Sequence, residues 1–181
     1  MVRMPEFLQE RKELNGAQKG TALHYVMQSF VPFDGMDKDS VCECISRLVR
    51  DNELTQEEAD TVSPQAVLDF YSSPLGQRIM KSKRVVREAP FELEIFASSV
   101  YDVDDDSKIL LQGVIDCYFY EGDEIVIVDY KTDYYEDINE IKEKYALQLQ
   151  YYKLAIEKIC KKTVKNSYFY LFFTKSVIEC N

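Results

Sequence analysis

The sequence predicts an α/β fold: a helical region followed by a mixed central sheet with flanking helices. Three observations carry that prediction. The hydrophobic period changes from helical to alternating near residue 83, so the first half reads as helices and the second as strands. Two β-branched runs, residues 109–120 and 124–131, precede a long amphipathic segment at 140–159 and an aromatic strand at 167–174. A helix placed between strands in this way marks a crossover in an α/β core. The third observation is chemical: Asp116, Asp129 and Lys131 interrupt strands that are otherwise apolar.

Taken in order, residues 1–19 are polar and irregular and read as an arm or linker. From residue 20 to 30, Leu23, Met27 and Phe30 recur at helical spacing. Residues 41–49 and 56–71 continue the helical pattern, and Thr55 with Glu58 three residues later forms a capping box. Ser73-Pro74-Leu75-Gly76 opens a short helix that runs to Met80. Residues 85–96 alternate polar and apolar, with a break expected at Pro90, which has no N–H for a ladder.

Residues 109–120 and 124–131 pair as a hairpin around Glu121-Gly122-Asp123. The helix at 140–159 places Ile141, Tyr145, Leu149, Tyr152, Ile156 and Ile159 on one stripe, and Val177-Ile178 forms a last strand. The acidic run Asp102-Val103-Asp104-Asp105-Asp106 is expected at a solvated hairpin tip. The helical part thus spans about 20–82 and the α/β part about 83–181, within one domain of a size that can bury a proper core.

Composition narrows the function. Apolar residues make up 46% and aromatics 13%, which fits a folded globule. No apolar run approaches the roughly 20 residues of a membrane span. The first residues lack an apolar signal region, so a reducing cytoplasm is expected. Five cysteines, Cys42, Cys44, Cys117, Cys160 and Cys180, form no Cys-x-x-Cys pair and are expected to be reduced and structural. The net charge is −10, whereas a domain that grips DNA unaided carries a basic stripe. Only Lys81, Lys83, Arg84 and Arg87, and the four lysines from Lys158 to Lys165, cluster positively.

The interrupted strands carry the chemistry. A buried charge is costly unless it is paired or holds a metal. Side chains alternate faces along a strand, so Asp129 and Lys131 point one way and Tyr130 the other. Asp116 stands on the preceding strand as a partner for Asp129. Two converging carboxylates suit Mg²⁺ or Mn²⁺, with the Tyr130 carbonyl as a further ligand. Lys131 beside them is placed to offset charge developing on a phosphate. His24 is the only histidine, and Gln148 and Tyr152 lie four apart on one helix face.

Gly20-x3-His24, Glu88-Ala89-Pro90-Phe91, Gly113-x2-Asp116, Asp129-Tyr130-Lys131 and Gln148-x3-Tyr152 stand in the order found in RecB-like nucleases of the PD-(D/E)XK superfamily. The resemblance covers residues 18–180, and its wording is similar to the nuclease region of AddA (RexA)-type helicase–nucleases. It implies a restriction-endonuclease-like core and a DNA exonuclease acting in double-strand break repair and recombination. It also implies that His24, Asp116 and Asp129 bind Mg²⁺, with Mn²⁺ as a substitute, and that Lys131 assists attack on the phosphodiester. Gln148 and Tyr152 would line the site or the DNA path, and Glu88 occupies an acidic position that reaches toward the metal. Relatives with an iron–sulfur cluster carry a C-terminal cysteine trio. Cys160 and Cys180 are spaced differently, so no cluster is expected.

The partners implied are DNA with single-stranded ends, a helicase motor in the same full-length chain, and a second protein of the AddB (RexB) type. No Gly-x4-Gly-Lys-Ser/Thr phosphate loop occurs here, so the chain is expected to be either a nuclease domain cut from a longer protein, the favoured reading, or a standalone relative. Two other readings compete. One is a catalytically silent DNA-end-binding or interaction module that keeps the fold. The other is a buried ion-pair network that only specifies the structure.

Overall fold

The computed structural model describes residues 15–99, 107–135 and 138–180, so the acidic run at 102–106 lies outside the described residues. Helix α1 (Gly16–Ser29) opens on a capping box in which Asn15 and Gln18 exchange hydrogen bonds of 2.9 and 3.0 Å. The helix therefore begins four residues before the start expected at residue 20, and residues 16–19 are helical, not part of an arm. Residues 1–14 lie outside the described residues. Helix α2 (Lys38–Arg50) is capped by Asp37 and Ser40.

The single helical stretch expected over 56–71 is two helices. Helix α3 (Gln56–Ala59) starts at the Thr55–Glu58 box, and α4 (Pro64–Ser72) restarts at the Ser63 cap with Pro64 in its first turn. Proline starts a helix well but cannot continue one, because it lacks the N–H that an interior turn needs. Helix α5 (Pro74–Lys81) repeats the device at Ser73-Pro74.

Strands β1 (Val85–Phe96), β2 (Lys108–Glu121), β3 (Glu124–Lys131), β4 (Val164–Leu171) and β5 (Ser176–Cys180) form one sheet in sequence order. Pairing is antiparallel except between β3 and β4, which run parallel and are joined by α6 (Ile138–Cys160). Mixed pairing around a crossover helix is the expected α/β arrangement. The β2–β3 hairpin turns at Gly122, whose φ of 62° favours glycine. It is tied to α5 by Arg78, which donates to both carboxylate oxygens of Glu121 at 2.7 and 3.0 Å and to the Tyr168 hydroxyl at 3.0 Å.

Each face of the sheet has its own core. On one face, α1, α2, α4 and α5 bury Val26, Met27, Phe30, Leu48, Phe70 and Ile79 against Phe119, Val128, Tyr130 and Tyr170. On the other, Ile141, Leu149, Tyr152 and Ile156 of α6 pack on Ile115, Ile127 and Phe169. The expected stripe on α6 departs at its end: Ile159, in the last turn, is exposed, and Ala155 joins the buried row. Arg87, expected in a basic surface cluster, is turned inward beside Tyr71, Cys117 and Tyr130.

The sheet has one irregular place. Arg87 and Cys117 face the helical side, as do Val85 and Phe119, whereas Phe91, Leu93, Ile95 and Ile115 face α6. Residues two apart normally share a face, so both strands turn over between these positions. The turnover falls on Glu88 and Asp116, which lie opposite each other while the ladder steps from Arg87↔Cys117 to Ala89↔Ile115. Glu88 has φ of 47°, a left-handed conformation uncommon outside glycine. The break expected at Pro90 is thus at Glu88. Pro90 stays in register with Val114, which an edge strand tolerates.

The β2–β3 ladder ends at Cys117↔Val128, whereas β3 stays paired with β4 as far as Lys131↔Leu171. The sheet therefore opens between β2 and β3 beyond this point. The Tyr130 N–H donates to Asp116 Oδ2 at 2.7 Å, so a side chain replaces the missing ladder carbonyl.

Glycine marks the tightest helix contact. A methyl group on Gly76 would collide with the Phe70 carbonyl and the Tyr71 backbone, whereas one on Gly16 meets nothing within 4 Å. Gly76→Ala is expected to cost about 1–3 kcal/mol by overpacking, and Gly16→Ala should leave stability equal or higher. Paired thermal unfolding curves check this, and equal melting temperatures for the two variants would contradict it.

Candidate active site

The opening in the sheet is where the sequence motifs meet. Helix α1 carries His24 over it, with Nδ1 3.4 Å from Asp116 Oδ1 and 3.6 Å from Glu88 Oε1. The His24 ring also stands edge-on to the Tyr130 ring, with centroids 5.9 Å apart. Gly20 lies one turn earlier, and a Cβ there would fall 2.9 Å from the Thr132 hydroxyl at the end of β3. The glycine lets α1 approach β3 closely enough to deliver the histidine. Gly113 serves the opposite wall: the Phe91 ring covers it so closely that a Cβ would fall 2.8 Å from a ring carbon. That ring packs edge-to-face on Tyr152, centroids 5.7 Å apart.

One ligand atom each from His24, Glu88 and Asp116 lie within 4.8 Å of one another. Two carboxylates and an imidazole form a donor set that suits a divalent cation. Asp129 does not belong to this set. It is 2% exposed, and Oδ2 lies 2.7 Å from the Lys131 ammonium. This is an ion-pair distance, off the direction of a hydrogen bond. Burial and the charge of Asp116 push the Asp129 carboxyl up to about 6, against the pull of Lys131. Burial alone would lower the His24 pKa, but the carboxylates of Asp116 and Glu88 outweigh it and raise the imidazole to about 10. Without a cation, a proton on His24 supplies the positive charge that Glu88 and Asp116 demand.

Lys131 is held by a chain of polar contacts. Its ammonium donates to Gln148 Oε1 at 3.0 Å, and Gln148 Nε2 donates to the Tyr152 hydroxyl at 2.8 Å. Burial keeps that phenol well above its ordinary pKa, so it stays protonated. The ammonium also sits 3.8 Å from the Tyr145 ring centroid, a cation–π contact. A cavity of about 700 Å³ opens in front of these groups, lined by His24, Glu88, Tyr130, Lys131, Thr132 and Tyr145 among others.

The structure thus brings His24, Glu88 and Asp116 together, sets Asp129 and Lys131 beside them, and reaches Lys131 through Gln148 and Tyr152. At Tyr130 the contact toward Asp116 is made by the backbone N–H, while its ring is buried among Phe70 and Phe172. Tyr145, expected only on the core stripe, also faces the Lys131 ammonium. Its position three residues before Gln148 and seven before Tyr152 places all three on one helix face, and that spacing was the available signal.

The sign of the pH dependence follows from two raised pKa values. A group that binds its proton more tightly in the folded state contributes stability that is lost as pH rises. For the cation-free chain, the contribution of His24 is complete below 6.5 and lost by about 10, and that of Asp129 is lost between 3.8 and about 6. The melting temperature of the wild type should fall relative to His24→Gln across pH 6.5–10. A constant difference over that window would contradict it. A cation held through His24 would displace its proton, so its affinity should rise by up to about tenfold per pH unit below 10 in calorimetric titrations.

Comparison with known proteins assigns the family. The model of the PD-(D/E)XK nuclease superfamily matches residues 2–178. The A subunit of the ATP-dependent helicase/nuclease of Clostridium botulinum (strain ATCC 19397 / Type A) is 39% identical over 183 residues, 98% of this chain and 14% of that protein. The protein of the same description from Clostridium novyi (strain NT) is 37% identical over 186 residues, 99% of this chain and 15% of that one. The chain therefore spans about one seventh of the length of these relatives. A crystal structure of SSO0001 aligns over 96% of this chain and 79% of its own, at a TM-score of 0.40 and 13% identity, too distant to weigh. On the family match and the identity to these relatives, the chain belongs to the PD-(D/E)XK nuclease superfamily, as a homologue of the nuclease part of these helicase/nuclease proteins.

Proposed function

We propose that this chain is a Mg²⁺-dependent deoxyribonuclease module that hydrolyses DNA phosphodiester bonds as an exonuclease. On this reading it is the nuclease part of an AddAB (RexAB)-type helicase–nuclease that processes double-strand breaks for recombination in the cytoplasm. The observation that carries it is the meeting of His24, Glu88 and Asp116 at the opened sheet, beside the buried Asp129–Lys131 pair. A helicase motor in the same full-length chain would deliver DNA to a surface whose charge of −10 grips it poorly. A second protein of the AddB (RexB) type would complete the assembly.

His24, Glu88 and Asp116 hold the cation, Mg²⁺ or Mn²⁺, and Asp129 adds negative charge beside them. Bound there, the cation supplies Lewis acidity toward the phosphate and acidifies the attacking water. Asp129, whose carboxyl is raised to about 6 by burial and Asp116, would be held ionised by a cation in the site. Lys131 presents its ammonium to the non-bridging oxygens, where charge grows in the transition state. Gln148 and Tyr145 fix the direction of that ammonium, so little reorganisation remains when the phosphate arrives.

The test is cleavage of an end-labelled single-stranded oligonucleotide with Mg²⁺, Mn²⁺ or EDTA. Cutting should require the cation and disappear in Asp116→Ala and Asp129→Ala. Lys131→Ala should lower the rate by about 10²–10³-fold while metal binding persists, because Lys131 is not among the residues that hold the cation. A wild-type chain that binds cation yet cuts nothing, even with DNA supplied by a coupled helicase, would favour the silent end-binding module.

A further inference from the structure

The rim of the cleft carries aromatic rings that neither core uses. Tyr134 is 57% exposed and Phe173 is 65% exposed, and the two rings meet edge-to-face with centroids 4.8 Å apart. They follow the ends of β3 and β4, three residues past Lys131 and two past Leu171. In α/β sheets, ligands bind beyond the carboxyl ends of parallel strands. The neighbouring Phe172 is buried against Phe70 and Tyr130, so the chain turns one phenylalanine into the core and the next outward. Tyr25, on α1, directly follows His24 and is 41% exposed at the cavity.

Phe173 is connected to the catalytic cavity, and Tyr134 packs on Phe173. Thr132 and Asp133 line both that cavity and a second hollow of about 290 Å³, which extends to Lys19 and Phe173. Lys19 joins no ion pair among the described residues. Single exposed apolar side chains are ordinary. A preformed pair of rings leading away from a phosphodiester site has the shape and chemistry of a nucleobase platform.

We propose that Tyr134 and Phe173 stack unpaired bases of single-stranded DNA on one side of the scissile phosphate, with Tyr25 doing so on the other. This rests on the nuclease reading above and assigns specificity to residues outside the catalytic set. In a duplex the bases stack on one another and offer these rings no free face. Stacking also supplies affinity without positive charge, which suits a chain of net charge −10. Binding should therefore weaken little with salt compared with phosphate-driven binding.

The test uses the Lys131→Ala chain with Mg²⁺, so that strands are bound but cut slowly. Fluorescence anisotropy compares a labelled oligo(dT) with an abasic oligomer of equal length. Adding Tyr134→Leu and Phe173→Leu together should weaken oligo(dT) binding by about tenfold or more and leave abasic binding unchanged. Tyr134→Phe, which keeps the ring, should bind oligo(dT) as before. Equal loss on both oligomers, or no loss on oligo(dT), would overturn the platform. Calorimetry of Mg²⁺ binding to the parent chain separates the two levels. Its absence would overturn the catalytic reading beneath, whereas its presence with ring variants of unchanged affinity would overturn the platform alone.

Discussion

A sheet that opens in its middle leaves backbone groups without partners, and buried orphans of this kind are costly. Here the cost is met by one contact, the Tyr130 N–H donating to the carboxylate of Asp116. That bond lets β2 leave β3 after Cys117 while β3 continues beside β4. It also fixes Asp116 with Oδ2 engaged and Oδ1 turned to His24. The left-handed turn at Glu88 does the same for β1, rolling the strand over so that its carboxylate meets the others. Fold and site are therefore one construction. Regular alternation through residues 88 and 116 would close the sheet and leave no place for the ligands.

The resulting concentration of charge explains the rest of the neighbourhood. Glu88, Asp116 and Asp129 crowd an area partly shut off from water, and two basic side chains answer them. Lys131 is committed to Asp129 and Gln148, which leaves the His24 imidazole as the basic group facing Glu88 and Asp116. A network built only to specify the fold would pair each charge. This one leaves two carboxylates answered by a single imidazole, which fits a site completed by a divalent ion.

Much of this was legible in the chain. The change of hydrophobic period separated the helical half from the sheet. The alternation in residues 124–131 placed Asp129 and Lys131 on one face and Tyr130 on the other, as found. Two features were not legible, for a common reason. Period-two reasoning assumes that a strand keeps its faces, so it located the β1 break at Pro90, the residue with a known defect, and missed Glu88, whose backbone alone is unusual. It also paired Asp116 with Asp129 across an unbroken hairpin, whereas β2 leaves β3 after Cys117 and Asp116 comes together with His24 and Glu88. Helix boundaries at Asn15 and Ser63 depended on caps and a proline start, local signals that outweighed the broader apolar pattern.

The claim that a cation sits among His24, Glu88 and Asp116 has an unusually direct test, because the chain contains one histidine. Mn²⁺ bound to protein labelled with ¹⁵N-histidine can be examined by pulsed electron paramagnetic resonance. A ¹⁵N coupling of the size of a coordinated imidazole, lost in Glu88→Ala or Asp116→Ala, is the result expected. A tightly bound Mn²⁺ with no ¹⁵N coupling would place the ion elsewhere and contradict the assignment of this site.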